Sequence, residues 1–230
     1  MKQLEYFLYG KTEIDYLKSR DPVLGAVIDR IGYIERPVIP DLYEALVNSI
    51  VGQQISTKAL NTIWERIQAR FAPLTPEHLA AIPAKELQSC GISMRKANYI
   101  KKITEEIIIG NLDLEELQEL PDAQVCTRLC KLPGIGVWTA EMLLIFSMQR
   151  PDVLSFGDLA IQRGLRMVYH HRKITPSLYQ KYKRRYSPYG TVASLYLWAV
   201  AQGAVEGMHD YAPKLSLIHI SEPTRLDVIS

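Results

Sequence analysis

The chain has 230 residues, 47% of them apolar and 23% charged. This ordinary globular balance supports a sizeable core and excludes a disordered, collagen-like or coiled-coil chain. Twenty-seven Lys and Arg stand against 25 Asp and Glu, a formal net charge of +2, so a polyanionic partner has to be met by a local patch and not by the field of the whole molecule. No apolar run approaches the roughly 20 residues that a bilayer-spanning helix needs. The N-terminal stretch MKQLEYFLYGKTEID carries charges where a secretory signal needs an apolar core, so a cytoplasmic protein is expected.

The punctuation predicts helices almost throughout. Thr12 to Arg20 is a short amphipathic helix; Asp21 then reads as an N-cap with Pro22 at the first helical position, opening a helix that Gly32 closes. Behind Pro40, Asp41 and Glu44 form a capping box, and Leu42, Leu46 and Ile50 repeat at helical spacing up to about Val51. The polar stretch Gln53 to Thr57 leads into a helix from Ala59 to Phe71, with Leu60, Ile63 and Ile67 as its core stripe, and Thr75-Pro76 starts the next one. Further helices are expected over Ala84 to Cys90, Arg95 to Ile109, Asp113 to Leu120, Asp122 to Leu132, Val137 to Met148, Leu159 to His171, Pro176 to Tyr186 and Val192 to Val205. Only Tyr6 to Tyr9 hints at a strand. The reading is an all-α, two-lobed helical bundle over residues 1–214, its N- and C-terminal segments pairing around a central helical lobe. Residues 215–230, with Pro223 and no clear period, read as a non-native or disordered tail; their run SLIHISEPTR resembles cloning or adaptor sequence.

The three cysteines, Cys90, Cys126 and Cys130, cannot build a disulfide framework and form no C-x-x-C pair, so neither zinc nor an iron–sulfur cluster is expected. Cys126 and Cys130 are four apart, on one face of a helix, and read as small buried hydrophobes. The segment that points to chemistry is Leu132-Pro133-Gly134-Ile135-Gly136, between two helical patterns. Its glycines allow positive φ and bring backbone N–H groups to the surface where the next helix starts. Such a loop can grip one phosphate, or it can be a plain helix–helix turn.

The stretch LPGIGVWTAEMLLIFSMQRPDVLSFGDLAIQRGL, from Leu132 to Leu165, resembles the helix-hairpin-helix, Gly/Pro-rich loop and catalytic aspartate of the helix-hairpin-helix (HhH-GPD) DNA glycosylase superfamily, and within it the 3-methyladenine DNA glycosylase II type. Weaker similarity extends from Tyr16 to Val205 through LKSRDPVLGAVIDRIG, LVNSIVGQQIS and YSPYGTVASLYLWA. The resemblance places the catalytic carboxylate at Asp158, which also directly precedes Leu159-Ala160-Ile161 as an N-cap; a helix N-terminus stabilises an ionised carboxylate, so the two roles are compatible. Asp152 is read as a turn carboxylate. The implied reaction is hydrolysis of an N-glycosidic bond, in which an anion near C1′ stabilises oxocarbenium character on the deoxyribose. A base that is already cationic, such as 3-methyladenine or 7-methylguanine, leaves without a general acid.

Bifunctional members use a lysine two residues after the second hairpin glycine as a Schiff-base nucleophile; here that position is Trp138, which implies a monofunctional hydrolase. The four-cysteine cluster that other members carry is absent too. A base inside double-stranded DNA must be flipped out, and the loop Gln53-Gln54-Ile55-Ser56 matches the place from which related enzymes insert a wedge, with Gln54 the first choice and Ile55 the next. Trp138 is the expected pocket aromatic, with Phe146 and Phe156 behind it and Trp198 a further candidate. Phosphate contacts are expected from Leu132, Gly134, Ile135 and Gly136 of the hairpin with Lys131 and Thr139, helped by a structural monovalent cation on the hairpin carbonyls; no other cofactor and no catalytic metal are expected. The run Lys181 to Arg185 is a second basic patch, and the histidines are assigned no chemistry. The chain is expected to act as a monomer. Two rivals remain: a non-enzymatic helix-hairpin-helix duplex binder, and a glycosylase for oxidised or mismatched purines.

Overall fold

A computed structural model describes residues 4–213, so the expected tail over 215–230 lies outside the described residues. Thirteen α-helices follow one another: α1 (Lys11–Arg20), α2 (Pro22–Ile31), α3 (Leu42–Gly52), α4 (Thr57–Phe71), α5 (Pro76–Ala81), α6 (Ala84–Gln88), α7 (Met94–Ile108), α8 (Leu114–Glu119), α9 (Asp122–Leu129), α10 (Val137–Phe146), α11 (Leu159–Tyr169), α12 (Pro176–Tyr186) and α13 (Gly190–Ala201). The capping residues Asp21, Asp41 and Thr75 act as the sequence predicts, and Thr175 adds a further cap of the same kind. Asp21 accepts from the Val23 and Leu24 N–H groups, Asp41 from Glu44, and Thr75 and Thr175 from His78 and Leu178, each with proline in the first helical turn except behind Asp41. Each such cap contributes about 1 kcal/mol.

Two departures have physical causes. The strand expected over Tyr6 to Tyr9 lies at β1 (Glu5–Tyr6) and pairs antiparallel with β2 (Pro37–Val38), a partner with no alternating pattern. The last helix begins at Gly190 and not Val192, because the Asp152 carboxylate accepts the Gly190 N–H at 3.0 Å and supplies the start signal from another part of the chain. Asp152 also accepts the Ser187 hydroxyl at 2.5 Å, so it braces a loop.

The apolar side chains form two cores. One, built from α3 to α10, centres on Leu46, Ile50, Ile67, Leu79, Ile100 and Leu117. The other joins Leu17, Leu24 and Val27 of the N-terminal helices to Ile161, Leu165, Tyr196 and Val200 of α11 and α13. Buried Asp21 ties this second core together, its free oxygen accepting from both the Tyr169 hydroxyl and the Arg185 guanidinium at 2.7 Å. Arg185 and Tyr182 therefore turn inward, leaving Lys181, Lys183 and Arg184 of the basic run exposed. Cys90 is buried; Cys126 and Cys130, expected to be so, are only half-buried because α9 lies near the surface there. Burial still pushes the Cys126 thiol up to about 11. Among the described residues no helix is long and apolar enough to cross a membrane.

Candidate active site

The two cores meet at Trp198, which packs against both; beside it the Ile39 N–H donates to the Phe146 carbonyl at 2.8 Å. Between them opens a cleft of about 700 Å³. Its floor and walls come from the end of α3, from α10 and from the start of α11, and its charged lining residues are Asp158 and Arg36.

Asp158 is held by three N–H donors. One oxygen accepts from the Ala160 and Ile161 backbone N–H groups, both at 2.8 Å, which makes it the N-cap of α11. The other accepts the indole N–H of Trp138, also at 2.8 Å. Only 6% of the residue is exposed, and that remainder lines the cleft. A carboxylate fixed in this way cannot rotate to avoid a positive charge brought next to it. Trp138 is half-exposed in the first turn of α10, flanked by Val137 at 63% and Leu159 at 78% exposure. Two bare aliphatic side chains at adjoining helix N-termini mark a surface that the helical pattern alone gave no reason to single out.

The hairpin needs its first glycine twice over. Gly134 has φ +83°, and a Cβ there would sit 2.6 Å from the Tyr99 ring. Gly136 begins α10 with no side-chain cap, and among the described residues neither Gly134 nor Gly136 donates its N–H to a backbone carbonyl. Open donors at a helix start suit an anion. Ile135 and Leu132, expected to touch DNA, instead bury their side chains in the first core, and the Ile135 N–H is spent on the Leu132 carbonyl at 3.2 Å. An apolar residue between two glycines anchors the turn from inside. Thr139 is half-buried and lines the cleft; Lys131 is exposed beside the hairpin.

The loop Gln53 to Ser56, expected to supply a wedge, is fastened to this hairpin. Gln53, read as a DNA contact, donates its side-chain amide to the Gly134 carbonyl at 2.7 Å, which also occupies an oxygen expected to hold a monovalent cation. Ser56 accepts the Ala59 N–H at 3.3 Å as the cap of α4. That leaves Gln54, exposed and at φ +57°, as the projecting residue, with Ile55 half-buried on the cleft wall. The sequence reading missed Lys96, whose ammonium donates to the Val51 carbonyl at 2.8 Å and the Gln53 carbonyl at 2.6 Å and so closes the end of α3. Replacing this charged donor strands two carbonyls, a loss of about 1.5–3 kcal/mol. Lys96→Met is expected to lower the melting temperature; an unchanged melting curve would show that the loop keeps its shape without it.

The aromatic lining is Trp138, Phe146 and Trp198, the last two with ring centroids 5.5 Å apart. Phe156, expected behind Trp138, is absent from the cleft lining: its half-buried ring packs against the second core, 4.9 Å from that of Tyr179. Among the described residues no group of three or more His, Cys, Asp or Glu is placed to hold a metal ion.

Comparison with known proteins agrees with this geometry. The profile of the HhH-GPD superfamily of base excision DNA repair proteins matches residues 47–188, which include both the hairpin and Asp158. DNA-3-methyladenine glycosylase 1 of Schizosaccharomyces pombe is 35% identical over 167 residues, covering 70% of this chain and 72% of that protein. The crystal structure of DNA-3-methyladenine glycosidase from Bacillus halodurans superposes with a TM-score of 0.76 at 36% identity, covering 86% of this chain and 93% of that one. The S. pombe 3-methyladenine DNA glycosylase in complex with abasic DNA gives a TM-score of 0.72 at 30% identity, covering 85% and 99%. A hairpin with open N–H donors, a helix-capping aspartate in the adjoining cleft and a profile match over both together establish that the chain belongs to the HhH-GPD superfamily of base excision DNA repair proteins.

Proposed function

We propose that the chain is a monofunctional DNA glycosylase that releases alkylated purines of the 3-methyladenine and 7-methylguanine type from double-stranded DNA. The observation that carries this reading is Asp158, fixed by three N–H donors on the wall of a cleft wide enough for a purine and beside a hairpin whose own donors are open. The hairpin holds the strand by its phosphates, and Gln54 fills the gap left by the extruded nucleotide. As the C1′–N bond lengthens, positive charge grows on the sugar and Asp158 stabilises it; water adds at C1′ and an abasic site remains. Trp138 stands at the position where bifunctional members carry the Schiff-base lysine, and among the described residues no lysine lines the cleft. The similarity to proteins named for 3-methyladenine supports the substrate class.

Incubating the protein with an N-methylpurine duplex tests this. The expected result is free methylpurine in solution, with the strand cut only after alkali. Tight duplex binding without any released base would favour the non-enzymatic reading, and strand scission without alkali would show a lyase.

A further inference from the structure

The cleft joins two parts that are anchored in different cores. Helix α10, which starts at the hairpin, packs into the first core through Leu143, Leu144 and Ile145, whereas α11, which Asp158 caps, packs into the second through Ile161 and Leu165. The two cap bonds of Asp158 lie within the start of α11 and travel with it, so they do not set where the carboxylate stands relative to the hairpin. For a glycosylase that distance is decisive, because the hairpin holds the strand while the carboxylate has to meet its sugar.

Among the described residues, two side-chain hydrogen bonds cross from α10 to the loop that ends at Asp158. One is the Trp138–Asp158 bond at 2.8 Å; in the other, the Ser155 hydroxyl donates to Oε2 of Glu141 at 2.5 Å. The spacing matches on both sides: Glu141 lies three residues after Trp138 on the helix, and Ser155 three residues before Asp158 in the loop. The helix thus grips the loop at two points about one turn apart, with the two segments running in opposite directions. Substrate acts differently on the two grips. Trp138 is half-exposed and lines the cleft, so an entering base meets it, whereas neither Glu141 nor Ser155 lines the cleft and Ser155 is not exposed at all. Glu141 is half-buried and forms no ion pair among the described residues, which leaves Ser155 as the partner that fixes its carboxylate.

We propose that Glu141 is a positioning residue that acts through Ser155 to hold Asp158 at its working distance from the hairpin, in a bond that base entry leaves intact. This rests on the glycosylase reading of the cleft. Without the Glu141 oxygen, the sealed Ser155 hydroxyl has to find another acceptor, and the loop shifts just ahead of Asp158. A displacement of about 1 Å is enough to slow an otherwise complete active site about 100-fold.

Single-turnover release of 3-methyladenine and binding to abasic duplex are compared for the parent, Glu141→Leu, Glu141→Gln, Ser155→Ala and the double variant Glu141→Leu with Ser155→Ala, each well below its melting temperature. Glutamine keeps an oxygen for the Ser155 hydroxyl and loses the charge; leucine keeps apolar bulk and loses both. The expected result is a fall in release of about 30-fold or more for Glu141→Leu and for Ser155→Ala, a fall of about fivefold or less for Glu141→Gln, and unchanged binding throughout. Because the two residues act through one bond, the double variant is expected to release base within about threefold of the slower single variant. Glutamine as slow as leucine would assign the effect to charge, falls that multiply in the double variant would assign two separate roles, and weaker binding to abasic duplex would show a general loosening; each overturns the proposal, as does release at the parent's rate in Glu141→Leu. Ser155→Ala removes a single oxygen and decides the matter if Glu141→Leu does not fold. A parent that releases base while every variant matches it overturns the proposal alone; a parent that releases none overturns the glycosylase reading with it.

Discussion

Asp158→Asn is expected to reduce the release of methylated purines by about 1,000-fold or more, while the protein stays folded and binds duplex DNA nearly as the parent does. The substitution is chosen for what it preserves. The asparagine oxygen can still accept the Ala160 and Ile161 N–H groups, so α11 keeps its cap and the second core keeps its helix. Two things are lost. The negative charge that faces the sugar goes, and the atom opposite the Trp138 indole N–H becomes an amide nitrogen, a donor facing a donor. Asp158→Ala would mix these losses with about 1 kcal/mol of lost capping, so it cannot separate chemistry from folding. Single-turnover release from a methylated duplex, beside a melting curve for each protein, gives the answer. Release within a few-fold of the parent, with the fold intact, would remove Asp158 from the chemistry.

The parts of this site that could be read from the sequence are those set within one or two helical turns. Asp21-Pro22 and Thr175-Pro176 mark helix starts because cap and proline act on neighbours, and Pro176–Tyr186 coincides with its predicted span. Asp158 as a helix cap is local in the same way, its partners being two and three residues away, whereas its role as the catalytic carboxylate is what the resemblance implies. What escaped depends on contacts distant along the chain. The Gln53–Gly134 bond joins residues 81 apart, and the Lys96–Val51 bond residues 45 apart. No local pattern tells a glutamine that bridges two loops from one that faces DNA. Phe156 lies in the second core and the Ile135 side chain in the first because an apolar residue beside a functional one points to whichever core is nearer, which only the packing decides. Arg36 lies in a stretch without motif or helical period, and its place on Phe146, 110 positions along the chain, comes from the meeting of two lobes.

The second core has a weak point of its own at Gly164, where the second large effect is expected. A Cβ on Gly164 would lie 2.3 Å from the Leu197 carbonyl oxygen, 2.9 Å from its carbon and 3.0 Å from its Cα. All three are backbone atoms of α13, so no side chain can swing aside. Helices α11 and α13 would have to separate, and their contact includes Ile161, Leu165 and Leu197, none of them exposed at all. Overpacking of this kind costs about 3 kcal/mol or more, and for a chain of this size each kcal/mol lowers the melting temperature by about 2–4 °C. Gly164→Ala is therefore expected to melt at least about 6 °C below the parent. Gly10→Ala serves as the control, because a Cβ there meets nothing within 4 Å. The functional consequence follows from the same geometry: Asp158 caps α11, and a helix pushed away from α13 carries its cap with it. Well below its melting point, Gly164→Ala should bind abasic duplex through the unchanged hairpin yet release methylpurine more slowly. Melting within 2 °C of the parent would show that the two helices absorb the methyl group. A lowered melting temperature with undiminished release would show that the carboxylate is positioned by Trp138 and the hairpin, and that α11 only follows.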